Sequence, residues 1–207
     1  MNYKEIIEKL YKELKRKYGE PEGQWKLWCK RPKTEREREE VIIGAILTQR
    51  TNWKNVELAI SNLKSAKVNS LKDIYQLGPK KLASLIKPSG FYKTKAQYLL
   101  NLTKFIIKNC GGLEGVKKAE LKELREELLK LKGIGPETAD SILLYALDKP
   151  IFVIDEYTRR LVKAHNLADK TDYYFLQKLF GENLRRDYRL YQDFHALIVI
   201  NAKNSKK

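Results

Sequence analysis

The sequence predicts an all-α protein, and three observations carry that prediction. Apolar residues recur at spacings of three and four, as in Ile6, Ile7, Leu10, Tyr11 and Leu14, the pattern of a helix with one buried face. Segments of this kind are separated by Gly, Pro, Ser or Asn, which stop helices and form turns. Strand signals are almost absent, since the short apolar run Ile151–Ile154 is too brief to build a sheet.

The first helix ends near Gly19, and residues 19–33, with Pro, Gly, Trp25 and Trp28, read as a loop that packs on something. Thr34 with Glu37 fits a capping box, in which hydroxyl and carboxylate each satisfy the other residue's backbone N–H. It opens a helix through Val41, Ile42, Ala45 and Ile46. Further helices are expected at about 52–64, 71–76, 79–86, 92–109, 119–131 and 136–147. Asp155 then precedes a helix to about 165, and two more follow at about 172–180 and 187–203. No segment repeats at a fixed period and none is of low complexity.

The 207 residues allow one domain or two small ones. Lys and Arg number 42 against 26 Asp and Glu, a formal charge of +16 with a pI near 9.7. That excess points to a polyanionic partner, nucleic acid ahead of an anionic membrane surface; a basic solvated surface is the plainer reading. No apolar run is long enough to span a bilayer, and the N-terminus reads as an amphipathic helix start and not a signal peptide, so the expected location is cytoplasmic. Cys29 and Cys110 stand far apart, which excludes a disulfide framework or a four-cysteine metal site within the chain. The two histidines, His165 and His195, have no cysteine or second histidine at ligand spacing, which disfavours a metal-centred enzyme.

One stretch organises the rest: Leu131-Lys132-Gly133-Ile134-Gly135-Pro136-Glu137-Thr138-Ala139-Asp140, followed by Asp155. Helical patterns flank it, Leu121, Leu124, Leu128 and Leu129 before and Ala139, Ile142, Leu143 and Ala146 after. Two glycines one residue apart make a tight turn, and Pro136 suits the first turn of the second helix. The stretch therefore reads as helix, hairpin, helix. Without side chains in the way, a phosphate can approach backbone N–H groups at a helix start, where the dipole also favours an anion.

This stretch, with Ile151-Phe152-Val153-Ile154-Asp155, resembles the helix-hairpin-helix signature of the endonuclease III superfamily of DNA glycosylases. Gly44-Ala45-Ile46-Leu47-Thr48-Gln49 resembles the family's segment around a glutamine that enters the gap left by a flipped base. Pro88-Ser89-Gly90-Phe91-Tyr92, with Lys95-Ala96, resembles its loop bearing a wedge residue. The resemblance spans about residues 40 to 160 and implies two helical domains, 34–149 and 1–33 with 150–207, with a DNA-binding cleft between them and Asp155 at its mouth. It also implies a base excision repair enzyme acting on a damaged base flipped from double-stranded DNA, expected to work as a monomer.

Asp155 is the expected catalytic residue. N-glycosidic cleavage builds positive charge on the sugar, which a fixed carboxylate stabilises, and the same group can orient or deprotonate water. Asp155 also fits a helix N-cap, and the two roles can coexist. In lyase-competent relatives the position of Glu137 holds a lysine that forms a Schiff base with the sugar. A carboxylate cannot, so the chain resembles the monofunctional glycosylases, which use water; Glu137 also suits the first turn of a helix as a complement to its dipole. By the same resemblance Gln49, Phe91, Gly133, Ile134, Gly135 and Thr138 are expected to contact DNA, with a C-cap for Gln49 and a core aromatic for Phe91 as the structural alternatives.

The base pocket is expected to draw on Trp53, Trp25, Trp28, Glu137 and Lys203. The branch of the family that acts on 3-methyladenine lacks the iron–sulfur cluster, carries an aromatic residue four positions after the glutamine, as Trp53 is here, and has a glutamate at the place of Glu137. The resemblance to that branch implies an alkylated purine as the substrate class; such purines carry positive charge, which an aromatic face attracts, and a core position is the structural alternative for Trp53. Trp25-Lys26-Leu27-Trp28 departs from that branch's adjacent tryptophans. Phe194-His195-Ala196 resembles its last helix, and His195 reads as a hydrogen-bonded structural histidine. No cofactor is expected to be required and no iron–sulfur cluster is expected. The carbonyls of Leu129, Leu131 and Ile134 correspond to positions that hold a monovalent cation in the family. The competing readings are a mismatch- or uracil-type glycosylase, a bifunctional enzyme with a lysine elsewhere, and a non-catalytic helix-hairpin-helix DNA-binding protein.

Overall fold

The computed structural model describes residues 2–204. The elements are α1 (Tyr3–Tyr18), α2 (Trp25–Trp28), α3 (Glu35–Leu47), α4 (Trp53–Ser65), α5 (Leu71–Leu77), α6 (Pro79–Leu85), α7 (Tyr92–Lys104), α8 (Leu113–Lys118), α9 (Leu121–Lys130), α10 (Pro136–Ser141), α11 (Glu156–Ala164), α12 (Tyr173–Asn183) and α13 (Tyr188–Asn204). Among the described residues there is no strand, and the protein is all-α. No helix of the described residues is long and apolar enough to cross a membrane.

The chain divides into two compact units, Pro32–Ile142 and Met1–Arg31 with Leu143–Lys207. In the central unit α3 is the core helix. Thr34 accepts from Glu37 N at 3.3 Å while the Glu37 carboxylate accepts from Thr34 N at 2.8 Å, closing the capping box the sequence predicts. Every residue from Val41 to Leu47 is buried, so the helix is covered on all sides. Packed on it are α4, α7 and α10, with α7 burying Ala96, Leu99 and Leu102. Buried Asp140 of α10 takes a bidentate pair from Arg125 of α9, at 2.7 and 3.0 Å, which braces the two arms of the hairpin.

The terminal unit packs α1 on α12 and α13, and α11 on α13. Its core is aromatic: the rings of Phe152 and Phe180 stack at 4.5 Å, and Phe194 meets both. Residues 143–149, expected with the hairpin domain, group here instead. The reason is visible at Tyr145, which is fully buried against Trp25, Trp28 and His195.

The helix expected over 92–109 is α-helical to Lys104 and continues as a π segment, Phe105–Asn109; that over 136–147 does the same from Ile142 to Ala146. Within the expected loop of residues 19–33 lies the single turn α2, which buries Trp25 and Trp28. The short helix α8 carries Gly115, whose presence hides it from a propensity reading.

Candidate active site

The expected site residues fall into two groups, one in each unit. In the terminal unit Asp155 is the N-cap of α11, and the cap engages one oxygen only. Its Oδ1 accepts from Thr158 N at 2.7 Å and from Thr158 Oγ1 at 3.0 Å. Oδ2 lies outside the cap, 3.4 Å from His195 Nε2, near enough for an ion pair but misaligned for a hydrogen bond. Burial to 8% exposure pushes the carboxyl pKa up; the His195 interaction and the Thr158 bonds outweigh it and leave the pKa below its ordinary value. Asp155 is thus a carboxylate held in its charged form with one oxygen outside its structural bond.

His195 is buried on α13, with Nδ1 2.7 Å from the Tyr145 hydroxyl, which in turn reaches the Gln192 carbonyl at 3.2 Å. The tyrosine hydroxyl has one proton. When it donates to Gln192 it accepts from Nδ1–H; when it donates to Nδ1, the ring proton sits on Nε2, facing Asp155. Spacing along the chain shows His195 as a structural histidine but gives no sign of the link to Asp155, forty residues earlier, or of Tyr145.

Trp25 and Trp28 pack edge to face at 5.8 Å, each only 5% exposed, so both form a wall more than an open surface. Trp25 also stands edge-on to His195 at 5.7 Å. Lys203, exposed near the end of α13, has Nζ 3.3 Å from Gln24 Oε1. Desolvation lowers its pKa and the Asp155 charge opposes that, with a net lowering.

In the central unit Gln49, Gly133, Ile134, Gly135, Glu137 and Thr138 line one open groove, together with Arg50 and Tyr98. The C-cap of α3 is Thr48, and Gln49 lies beyond it. The Gln49 amide donates to Gly133 O at 2.9 Å and to Thr138 Oγ1 at 3.0 Å, tying the end of α3 to the hairpin. Gly133 has φ +90, and a Cβ there would fall 2.3 Å from the Tyr98 ring, so backbone and space both require glycine. Gly135 is extended, with nothing within 4 Å of a Cβ position. Ile134 is buried, and its N–H donates to Leu131 O at 3.0 Å. That amide is engaged within the turn. Glu137, the second residue of α10, is exposed.

Phe91 is not a core aromatic. It is 63% exposed, in the left-handed region at φ 44, with the Arg50 guanidinium carbon 5.5 Å from its ring centre. Arg50 is itself left-handed and exposed, and sequence reasoning passed over it. Trp53 is half-buried as the first residue of α4. Among the described residues no group of three or more His, Cys, Asp or Glu could hold a metal ion.

Residues 43–186 match the model of the HhH-GPD superfamily of base excision DNA repair proteins. A Methanocaldococcus jannaschii protein, named provisionally as a DNA repair glycosylase, is 44% identical over 96% of this chain and 88% of its own length. The 3-methyladenine DNA glycosylase of H. pylori, solved bound to 1,N6-ethenoadenine, superposes with a TM-score of 0.80 at 31% identity, covering 99% of both chains. An endonuclease III–DNA covalent intermediate shares the fold, with a TM-score of 0.72 at 18% identity over 95% of this chain and 84% of that one. With the match to the superfamily covering most of its length, and with its hairpin and capped aspartate in one all-α chain, this protein belongs to the HhH-GPD superfamily of base excision repair DNA glycosylases.

Proposed function

We propose that this base excision repair glycosylase is monofunctional: it hydrolyses the N-glycosidic bond of an alkylated purine flipped from duplex DNA and leaves an intact strand with an abasic site. The observation that carries the reading is Glu137, a carboxylate at the hairpin position where a lyase needs an amine. In this reading the Asp155 carboxylate, already ionised, stabilises positive charge on the sugar as the bond breaks and orients water through Oδ2. In this reading the groups that meet the base are Trp25, Trp28 and Lys203 of the terminal unit and, from the central unit, Trp53 and Glu137. The similarity to a 3-methyladenine glycosylase over the full chain supports the substrate class. Gln49 and Phe91 would fill the space vacated by the base, and the groove at Gly133, Gly135 and Thr138 would take a phosphate.

The carbonyls of Leu129, Leu131 and Ile134 are neutral oxygens; that of Leu129 sits in the last turn of α9, where carbonyls lose their helical partners, and that of Leu131 accepts from Ile134 N–H and keeps a second lone pair. They suit a hard monovalent cation, which would add positive charge beside the phosphate and take no part in bond cleavage.

The test is the product. Excision from a 3-methyladenine duplex should give a strand broken only after alkali, with little adduct trapped by borohydride. The lowered pKa of Lys203 favours a second reading, in which that amine attacks the sugar. Trapping at the rate of base loss, abolished by Lys203→Met, would establish it in place of the first. A panel with hypoxanthine, uracil, G·T and 8-oxoguanine decides the substrate class: preference for uracil or the mismatch would overturn the alkylpurine reading.

A further inference from the structure

Lys95 is the most deeply buried lysine of the central unit's α7, 2% exposed in a core otherwise made of Ala96, Leu99 and Leu102. A buried ammonium is unfavourable unless its donors are satisfied. Its Nζ donates to Leu47 O at 2.8 Å and to Ser89 O at 2.7 Å. Leu47 is the last residue of α3, so the cation also sits against the negative end of a helix that the next three residues, Thr48, Gln49 and Arg50, leave. Ser89 closes the 3₁₀ turn Lys87–Ser89 and is followed by Gly90 and Phe91. Gly90 takes its positive φ at no cost, but Phe91 and Arg50 are non-glycine residues at positive φ, so each loop holds one residue in a conformation it does not favour. An apolar side chain of the same length would fill the space equally well. The ammonium adds a bond between two backbones more than forty residues apart. Burial alone lowers its pKa to about 8, with no acidic partner among the described residues to offset that.

We propose that Lys95 is a positioning residue: it ties the segment carrying Gln49 and Arg50 to the loop carrying Phe91, so that the two meet DNA as one rigid probe. The Arg50–Phe91 contact at 5.5 Å is the outer face of that unit, and the two Lys95 bonds are its inner anchor. The inference rests on the reading that these loops enter the duplex, and its consequence is specific. Without the tie, each loop can still touch DNA, but unstacking the target base requires both at once, at the entropy of ordering two independent loops.

The experiment compares wild type with Lys95→Met, Lys95→Arg and Phe91→Ala on a 3-methyladenine duplex and on one carrying 2-aminopurine beside the target. Lys95→Met should keep affinity for undamaged duplex within about twofold, lose most of the 2-aminopurine fluorescence rise, and lower single-turnover excision at least tenfold, with KM little changed. Lys95→Arg, which retains charge and donors, should recover part of both signals. If Lys95→Met matches wild type while Phe91→Ala loses the fluorescence rise, the tie is refuted and the DNA reading stands. If Phe91→Ala also matches wild type, the DNA reading fails and the proposal with it. Should Lys95→Met not fold, the wild-type protein decides by NMR. A slowly exchanging ¹⁵N ammonium signal, coupled through hydrogen bonds to the Leu47 and Ser89 carbonyls and persisting on DNA, supports the tie; its absence overturns it.

Discussion

Gly133→Ala and Gly135→Ala should separate two roles that the sequence leaves merged. At Gly133 an alanine meets two penalties. The backbone has φ +90, where an L side chain costs about 1–2 kcal/mol. The added Cβ falls 2.3 Å from Tyr98 Cδ2 and Cγ, so the ring must move out of its packed position, for roughly 1–3 kcal/mol more. Together these give about 2–5 kcal/mol, and at roughly 2–4 °C per kcal/mol for a chain of this size the melting temperature should fall by about 4–20 °C. Gly135 has φ −89 and ψ 176 and open space where the Cβ would go, so Gly135→Ala should stay within about 0.5 kcal/mol of wild type. If the proposed phosphate contact is made there, the substitution should still weaken duplex binding, because the methyl group would stand in the path of a phosphate approaching the head of α10. Tyr98→Leu in the Gly133→Ala background should recover the packing share of the loss and leave the backbone share. The assays are thermal melts followed by circular dichroism and duplex affinity at fixed salt. Equal melting temperatures for the two alanine variants would refute the argument from φ and the Tyr98 ring. A Gly135→Ala variant that binds DNA like wild type would refute the phosphate approach.

Other expectations follow from the same geometry. Asp155→Asn keeps a cap for Thr158 but removes the charge, so excision should be abolished while lesion-DNA binding stays within a few-fold; excision near the wild-type rate would leave Asp155 a cap only. Because the folded-state pKa of Asp155 is depressed, its charge contributes stability above the unfolded-state value of about 4, and that contribution is lost as pH falls through the lower folded value. The difference in melting temperature between wild type and Asp155→Asn should therefore be largest above about pH 4 and shrink below it; a difference that grows toward acid would contradict this. Arg125→Met removes the bidentate guanidinium pair from the fully buried Asp140 carboxylate and should cost about 3–5 kcal/mol, read by urea unfolding, while a loss under about 1 kcal/mol would show that the pair is not bracing the hairpin.

Much of the fold was legible because helices are written locally. The 3.6-residue period, the Thr34–Glu37 capping box, Asp155 ahead of α11 and Pro136 at the start of α10 are each signals confined to a turn or two of chain, and the structure contains each of them. The glycine hairpin was legible for the same reason, since a turn between two periodic segments needs no distant partner to be recognised. The π segments and α8 escaped because they are short departures within or between helices, where propensity carries little weight.

What the sequence alone determined, then, was an all-α chain with a basic surface, a hairpin, and an aspartate fitted to cap the helix that follows it. Tertiary packing decided which partners those residues meet. Gln49 gives its amide to the hairpin 84 positions away, Tyr98 lies where a Cβ on Gly133 would go, and Lys95 reaches Leu47 across 48 positions. His195 and Tyr145 stand against each other although 50 positions separate them, and the same histidine faces Asp155. Periodicity tells which face of a helix is buried but not which neighbour covers it. Contacts at such separations are set by how whole helices cross, and a single sequence records the faces without the crossings.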